Sequence, residues 1–178
     1  VKKYIGIPEG ILDTYRDRVE YVDGYMNPGE GIHILPHTTE GLSKRGEHAH
    51  MCVVTEEGTV TDDFSHEQTV VFEDEGGLVL FNSCSHGGVE NIIEEVKAVF
   101  PGQKIKAFFG GFHMMGLMGP STCSYTEEEV KRVAGLLIES SEALFYSGHC
   151  TGEVAFAYLK EVMKDRLVAI SSGRGFEV

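Results

Sequence analysis

Along the second half of the chain the apolar positions switch between two periods, and the switches outline strands and helices in turn. Residues 69–73 and 78–82 are short β-branched and aromatic runs that predict strands, joined by a hairpin-type turn at Glu75-Gly76-Gly77. Residues 89–100 then place Val89, Ile92, Ile93, Val96 and Val99 at helical spacing with charges opposite, until Pro101-Gly102 stops the helix. A strand is predicted at 105–109. Thr126, with Glu129 three residues on, reads as the N-cap of a helix over 127–139 whose stripe is Val130, Val133, Leu136 and Leu137. A strand at 143–146, a helix at 153–164 with Val154, Ala157, Tyr158 and Val162 inward, and a strand at 167–171 complete the series.

The first fifty residues are less regular. Pro8, Pro28 and Pro36 and the glycines Gly24, Gly29 and Gly31 break them into loops, with a short helix expected near 10–18 and strands near 19–22 and 32–35. A further strand is expected at 51–55. Residues 114–124 show neither period, and the Met/Gly-rich start there predicts either a mobile loop beside His113 or an ordinary surface connection. The elements add up to an α+β domain with a mixed sheet, strand-rich first and then alternating strands and helices.

Composition narrows the classes. With 178 residues, 42% apolar and 24% charged, the chain suits one soluble domain, and no apolar run approaches the roughly 20 residues of a membrane span. Val1-Lys2-Lys3-Tyr4 is not followed by a signal-peptide core, so a cytoplasmic location is expected. A formal charge of −13 without a compensating Lys/Arg stripe argues against nucleic acid and favours divalent cations. Cys52, Cys84, Cys123 and Cys150 contain no CxxC pair, which suits reduced cytosolic thiols rather than a zinc ribbon or a thioredoxin-like motif.

The chemistry concentrates at three strand ends. Ser83-Cys84-Ser85-His86-Gly87-Gly88, Gly110-Gly111-Phe112-His113 and Ser147-Gly148-His149-Cys150-Thr151-Gly152 each follow a predicted strand, so His86, His113 and His149 should reach one rim of the sheet. Three neutral imidazoles can hold Zn²⁺, Fe or Mn and leave a position for water. Each histidine alone would more simply be a structural or loop residue; their recurrence at successive strand ends points to metal. His48 and His50 have chelating H-x-H spacing but sit in a loop-like segment, and His33, His37 and His66 read as surface or hydrogen-bonding residues. Asp62-Asp63-Phe64 with Glu67 reads as turn and capping carboxylates, the functional alternative being a group that orients a ligand histidine. A cysteine nucleophile at Cys84 or Cys150 is the less favoured alternative, since no helix start activates either.

These runs, with Asp62-Asp63-Phe64, Glu67 and Gln68, resemble the metallo-β-lactamase-fold superfamily and, within it, the branch of the dihydropterin ribofuranosyl-aminobenzene phosphate synthase-like proteins. The resemblance implies a metal-dependent hydrolase of an ester, phosphoester or amide, with one or two divalent ions, zinc foremost. It also implies that His86 and His149 are metal ligands and that His113 stands where many members place a bridging carboxylate. The family's H-x-H-x-D-H motif is absent from these residues. By the same resemblance the chain corresponds to the C-terminal part of an αββα sandwich, a fragment inactive by itself. The uncovered sheet face would then meet the missing N-terminal half or a second copy of the chain. The alternative is a non-catalytic metal-binding or assembly module that forms an oligomer through that face.

Overall fold

A computed structural model describes residues 3–178, so Val1 and Lys2 of the opening stretch lie outside the described residues. The elements run α1 (Ile11–Thr14), β1 (Met26–Gly29), β2 (Ile32–Pro36), α2 (Ser43–Ala49), β3 (Cys52–Thr55), β4 (Gly58–Thr61), β5 (Gln68–Asp74) and β6 (Gly77–Phe81). They continue with α3 (Val89–Val99), β7 (Ile105–Phe109), β8 (Met115–Gly116), β9 (Gly119–Cys123), α4 (Glu127–Ser140), β10 (Leu144–Ser147), α5 (Glu153–Met163) and β11 (Leu167–Ala169). Seven strands form one mixed sheet in the order β1-β2-β5-β6-β7-β10-β11. The β1 to β6 neighbours pair antiparallel, and β6, β7, β10 and β11 pair parallel.

Parallel neighbours need crossovers, which α3, α4 and α5 lie on. Their buried stripes, including Ile92, Ile93, Val96, Val130, Ala134, Leu137, Ala155, Leu159 and Met163, meet Leu78, Leu80, Phe108, Phe145 and Leu167 of the sheet in one core. Thr126 closes a capping box with Glu129, its hydroxyl accepting from the Glu129 N–H while the Glu129 carboxylate accepts from the Thr126 N–H at 2.8 Å. The guanidinium of Arg166 donates to the carbonyls of Ile138, Ser141 and Ala143, tying the end of α4 to the approach to β11.

The opposite face of the sheet carries an aromatic ladder. Phe72, Phe81, Phe109 and Tyr146 line up from β5 to β10 with successive ring centroids 5.6, 5.0 and 4.3 Å apart, Phe72 meeting Phe81 edge-on and the other pairs stacked. The C-terminal tail lays Phe176 on Tyr146 at 4.7 Å, covering that end of the ladder, whereas Phe72 and Phe81 stay 39% and 40% exposed. The apolar face expected from the sequence is therefore open at β5 and β6 and closed at β10 by the tail.

Several elements differ from the sequence reading. Residues 19–22 are extended without a ladder partner, and the strand before Gly31 is β1, which Gly29 and Pro28 disguise. Residues 114–124 contain the β8–β9 hairpin, packed on α5, with Leu117 and Met118 exposed at its tip. Cys52–Thr55 pairs with β4 in a separate hairpin, and His48 lies on α2, not in a loop. The stripe of α5 is rotated so that Ala157 is exposed, because Ala-Phe-Ala-Tyr-Leu is apolar nearly all round and its period does not choose a face. In α3 and α4, Val99 and Leu136 prove exposed at the edges of otherwise correct stripes. Among the described residues no helix is long and apolar enough to cross a membrane.

Leu80 is fully buried between the sheet and the helices. Leu80→Ala should lower unfolding free energy by about 2–5 kcal/mol in a denaturant titration, through lost burial and the cavity left behind. A change well below that range would show that the helices do not close on β6.

Candidate metal centre

Strand direction decides what gathers at one rim. The carboxyl ends of the parallel strands β6, β7 and β10 lie together, and the antiparallel pairing brings the start of β5 and the end of β2 to the same edge, since Pro36 pairs with Gln68. His37, Glu67, His86, His113 and His149 therefore converge from five segments.

The loops at the rim are tied to each other. Gly111 N–H donates to Ser83 O, Met114 N–H to Cys150 O, and Phe112 N–H to the Thr151 hydroxyl at 2.9 Å. Asn82 braces the first loop, donating to Gln68 O and Thr69 Oγ1 and accepting from Ser85 N–H. Ser85, His113 and His149 have φ of 54°, 44° and 51°, a left-handed backbone that costs a non-glycine residue energy and persists where its surroundings enforce it. The glycines serve packing more than ligand access: a Cβ on Gly110 would lie 1.9 Å from Asn82 O, one on Gly87 2.3 Å from the His37 ring, and one on Gly111 2.5 Å from Cys150 Sγ.

Glu67 is the electrostatic centre of the rim. Its Oε1 accepts from the His86 N–H and from His86 Nδ1–H, both at 2.9 Å, and its Oε2 accepts from the Gly87 N–H at 3.1 Å and from His37 Nε2–H at 2.7 Å. The other His37 nitrogen donates to Glu95 at 2.9 Å, and Glu95 in turn accepts from the backbone of Thr38 and Thr39. Burial alone would raise the Glu67 pKa, but the donors from His37, His86 and Gly87 outweigh it and hold the carboxyl far below the usual range. Burial would lower the His37 pKa, but its bonds to Glu67 and Glu95 raise it from 6.5 to about 9. His37 is thus an imidazolium clasped between two carboxylates, with no lone pair left for a metal.

His86 and His113 are different. Glu67 fixes Nδ1 of His86 as a donor, so Nε2 is the nitrogen that an ion could take by displacing its proton. Against burial, Cys84 and Glu67 raise the His86 pKa to about 9. Phe64 stacks on the ring at 5.1 Å, and the His113 ring lies 4.4 Å away on another side. Burial, then the neighbouring charge of His86, lowers the His113 pKa and keeps that imidazole neutral. Among the described residues, His113 Nδ1 is the buried side-chain polar atom without a hydrogen-bond partner. A buried lone nitrogen normally costs stability unless something fills its coordination. The two rings fit a divalent ion, one imidazole oriented by Glu67 and one unpartnered, with the carboxylate positioning a ligand and not itself binding.

Of the three histidines singled out from the sequence, His86 and His113 are in ring contact, and His149 is close enough to act on the charge of His113. His149 gathers instead with Cys84 and Cys150, the donor atoms of the three lying within 4.8 Å of one another. Cys150 S–H points at Cys84 O at 3.6 Å. The shared bond with Cys150 and the nearby His86 lower the Cys84 pKa, while Cys84 and burial raise that of Cys150.

The other histidines are engaged elsewhere. His48 bonds Ser124 O and packs on Tyr125, His50 caps α2, and His33 bonds Tyr25, Asn27 and Glu73. Asp62 caps the Phe64 turn and bonds His66, so the acidic cluster splits into turn carboxylates and the orienting Glu67. Sequence reasoning missed His37 and Glu95; the end of a strand at 32–35, one position before Pro36-His37, was the available signal. A cleft of about 240 Å³ adjoins the rim through Gly88, Phe112 and Met114, with Lys44, Arg45 and Arg132 on its walls.

The fold is that of a known superfamily. A solved metal-dependent hydrolase of the beta-lactamase superfamily superposes with a TM-score of 0.70 at 22% identity, over 88% of this chain and 57% of that one. The 7,8-dihydropterin-6-methyl-4-(β-D-ribofuranosyl)-aminobenzene-5'-phosphate synthase of Methanocaldococcus jannaschii is 24% identical over 115 residues, 65% of this chain and 36% of that protein. The chain thus spans less than two thirds of either relative. No protein-family model matches it. The mixed sheet with its helices is a β-lactamase-type α+β fold, as the sequence motifs implied.

Two measurements probe the Glu67 clasp. The His37 imidazolium contributes its full stability below pH 6.5 and loses it as the pH rises through about 9, while the lowered Glu67 contributes above pH 4.5 and loses its share in acid. The urea midpoint of the wild type should accordingly fall between pH 6.5 and 9 by more than that of His37→Gln; parallel curves would refute an ionised clasp. Glu67→Gln should weaken binding of Zn²⁺, measured by calorimetry, by about 10–100-fold, as expected when the partner of a ligand imidazole is lost.

Proposed function

We propose that the chain supplies part of the catalytic centre of a metal-dependent hydrolase acting on an ester, phosphoester or amide. One observation supports this above the others: Glu67 holds the Nδ1 side of His86, which leaves Nε2 as its nitrogen for an ion, and the His113 ring 4.4 Å away carries a buried Nδ1 with no partner. His86, His113 and His149 would hold one or two divalent ions, zinc foremost, with iron or manganese as alternatives that imidazole also suits. The ion's contribution is Lewis acidity towards the substrate oxygen and a lowered pKa for water. Glu67 orients His86, the His37–Glu95 pair keeps Glu67 ionised, and the stacked Phe64 shields one face of the His86 ring.

The residue that orients the attacking water is assigned to an H-x-H-x-D-H segment, which this chain does not contain. The partner of the open sheet face, whether a preceding half of the same protein or a second copy, belongs to the same proposal, as does a cytoplasmic setting for the reduced thiols. A non-catalytic assembly module is the second reading, favoured by the exposed Phe72 and Phe81.

Metal analysis and turnover of a chromogenic phosphodiester decide between them. The expected outcome is divalent metal retained by the chain, lost in His86→Ala and His113→Ala, with turnover slight until a polypeptide carrying H-x-H-x-D-H is added. A chain that takes up no metal and dimerises through Phe72 and Phe81 would establish the assembly module instead.

A further inference from the structure

The hydrolase reading leaves two thiols unused, and they are placed as donors. Cys84 arrives from the loop after β6 and Cys150 from the loop after β10, 66 positions apart in sequence, and with His149 they put three donor atoms within 4.8 Å of one another. All four cysteines are free. A tetrahedral ion with bonds of about 2.3 Å to sulfur and 2.0 Å to nitrogen spaces its donors roughly 3.5–3.8 Å apart, so separations within 4.8 Å need to close by about 1.3 Å at most.

The surroundings hold this geometry in place. Gly111 keeps clear the room that Cys150 Sγ occupies, because a Cβ there would stand 2.5 Å from the sulfur. Met114 N–H binds Cys150 O, and the His149 backbone is held at φ 51°. Cys150 is buried while His149 is exposed, so one side of the cluster is dry and the other open to an entering ion.

We infer that Cys84, Cys150 and His149 form a thiolate metal site, which binds a thiophilic divalent ion through two sulfurs and one nitrogen and leaves a fourth position open. On binding, the thiol protons pass to solvent, two metal–sulfur bonds form, and an imidazole nitrogen of His149 supplies a lone pair. Two thiolates cancel the charge of a divalent ion, which suits the buried side of this corner. Soft sulfur donors select zinc over manganese or magnesium, and this separates the site from the imidazole pair of His86 and His113 beside it. The inference deepens the proposed function by dividing its three histidines between two donor sets; it does not depend on any hydrolysis.

Cobalt(II) titration of the reduced chain, followed by absorption, tests the assignment without an activity readout. A sulfur-to-cobalt charge-transfer band should saturate at one ion per chain, weaken in Cys84→Ser and in Cys150→Ser, vanish in the double variant, and survive His86→Ala. Because Cys150 is buried and its variant could misfold, X-ray absorption of the zinc-loaded wild type provides the independent check and should show two sulfur neighbours at the metal. A wild-type spectrum with only nitrogen and oxygen neighbours would overturn the site. So would a charge-transfer band that persists in the double cysteine variant. Failure of the hydrolase reading alone would show differently: no phosphodiester turnover under any addition, with the sulfur band intact.

Discussion

A single carboxylate organises the functional rim. Buried Glu67 would be intolerable as an isolated charge, since desolvation in a protein interior costs several kcal/mol per ion. Two backbone amides and two imidazoles from two other segments satisfy it, and satisfying it fixes where those segments lie. The orientation of His86, the protonation of His37 and the anchoring of Glu95 all follow from that one need.

Much of this was legible in the chain. The alternation of strand and helix periods after residue 69 located the parallel half of the sheet, because buried parallel strands are short apolar runs and their crossover helices carry one stripe each. The three histidine-bearing runs were found because they follow those strands directly. What stayed hidden was whatever depends on antiparallel register. His37 reaches the rim only because β2 runs antiparallel to β5, and nothing in Pro36-His37-Thr38 states that pairing. Glu95 looks like one more charge on the outer face of α3, yet it closes the far side of the clasp. Residues 114–124 looked patternless because a two-residue β-strand is too short to show a period, and α5 misled because its sequence is apolar in nearly every direction.

The two faces of the sheet play unequal parts. One is sealed by three helices and needs nothing further. The other offers a continuous row of aromatic rings, closed at one end by Phe176 and open at Phe72 and Phe81. The histidine-bearing rim lies along the edge of the same sheet, so whatever covered the rings would stand next to that rim.

The donors at the rim are remote from one another along the chain: His37 meets Glu95 across 58 positions, Glu67 meets His86 across 19, and Cys150 meets Cys84 across 66. Closing such long loops is costly before their contacts form, so the rim cannot exist until most strands have already paired. An ion arriving there finds a finished cradle or none at all; it can reward the completed fold but cannot seed it. In this respect the protein is the opposite of a zinc finger, in which the metal itself gathers an otherwise shapeless chain.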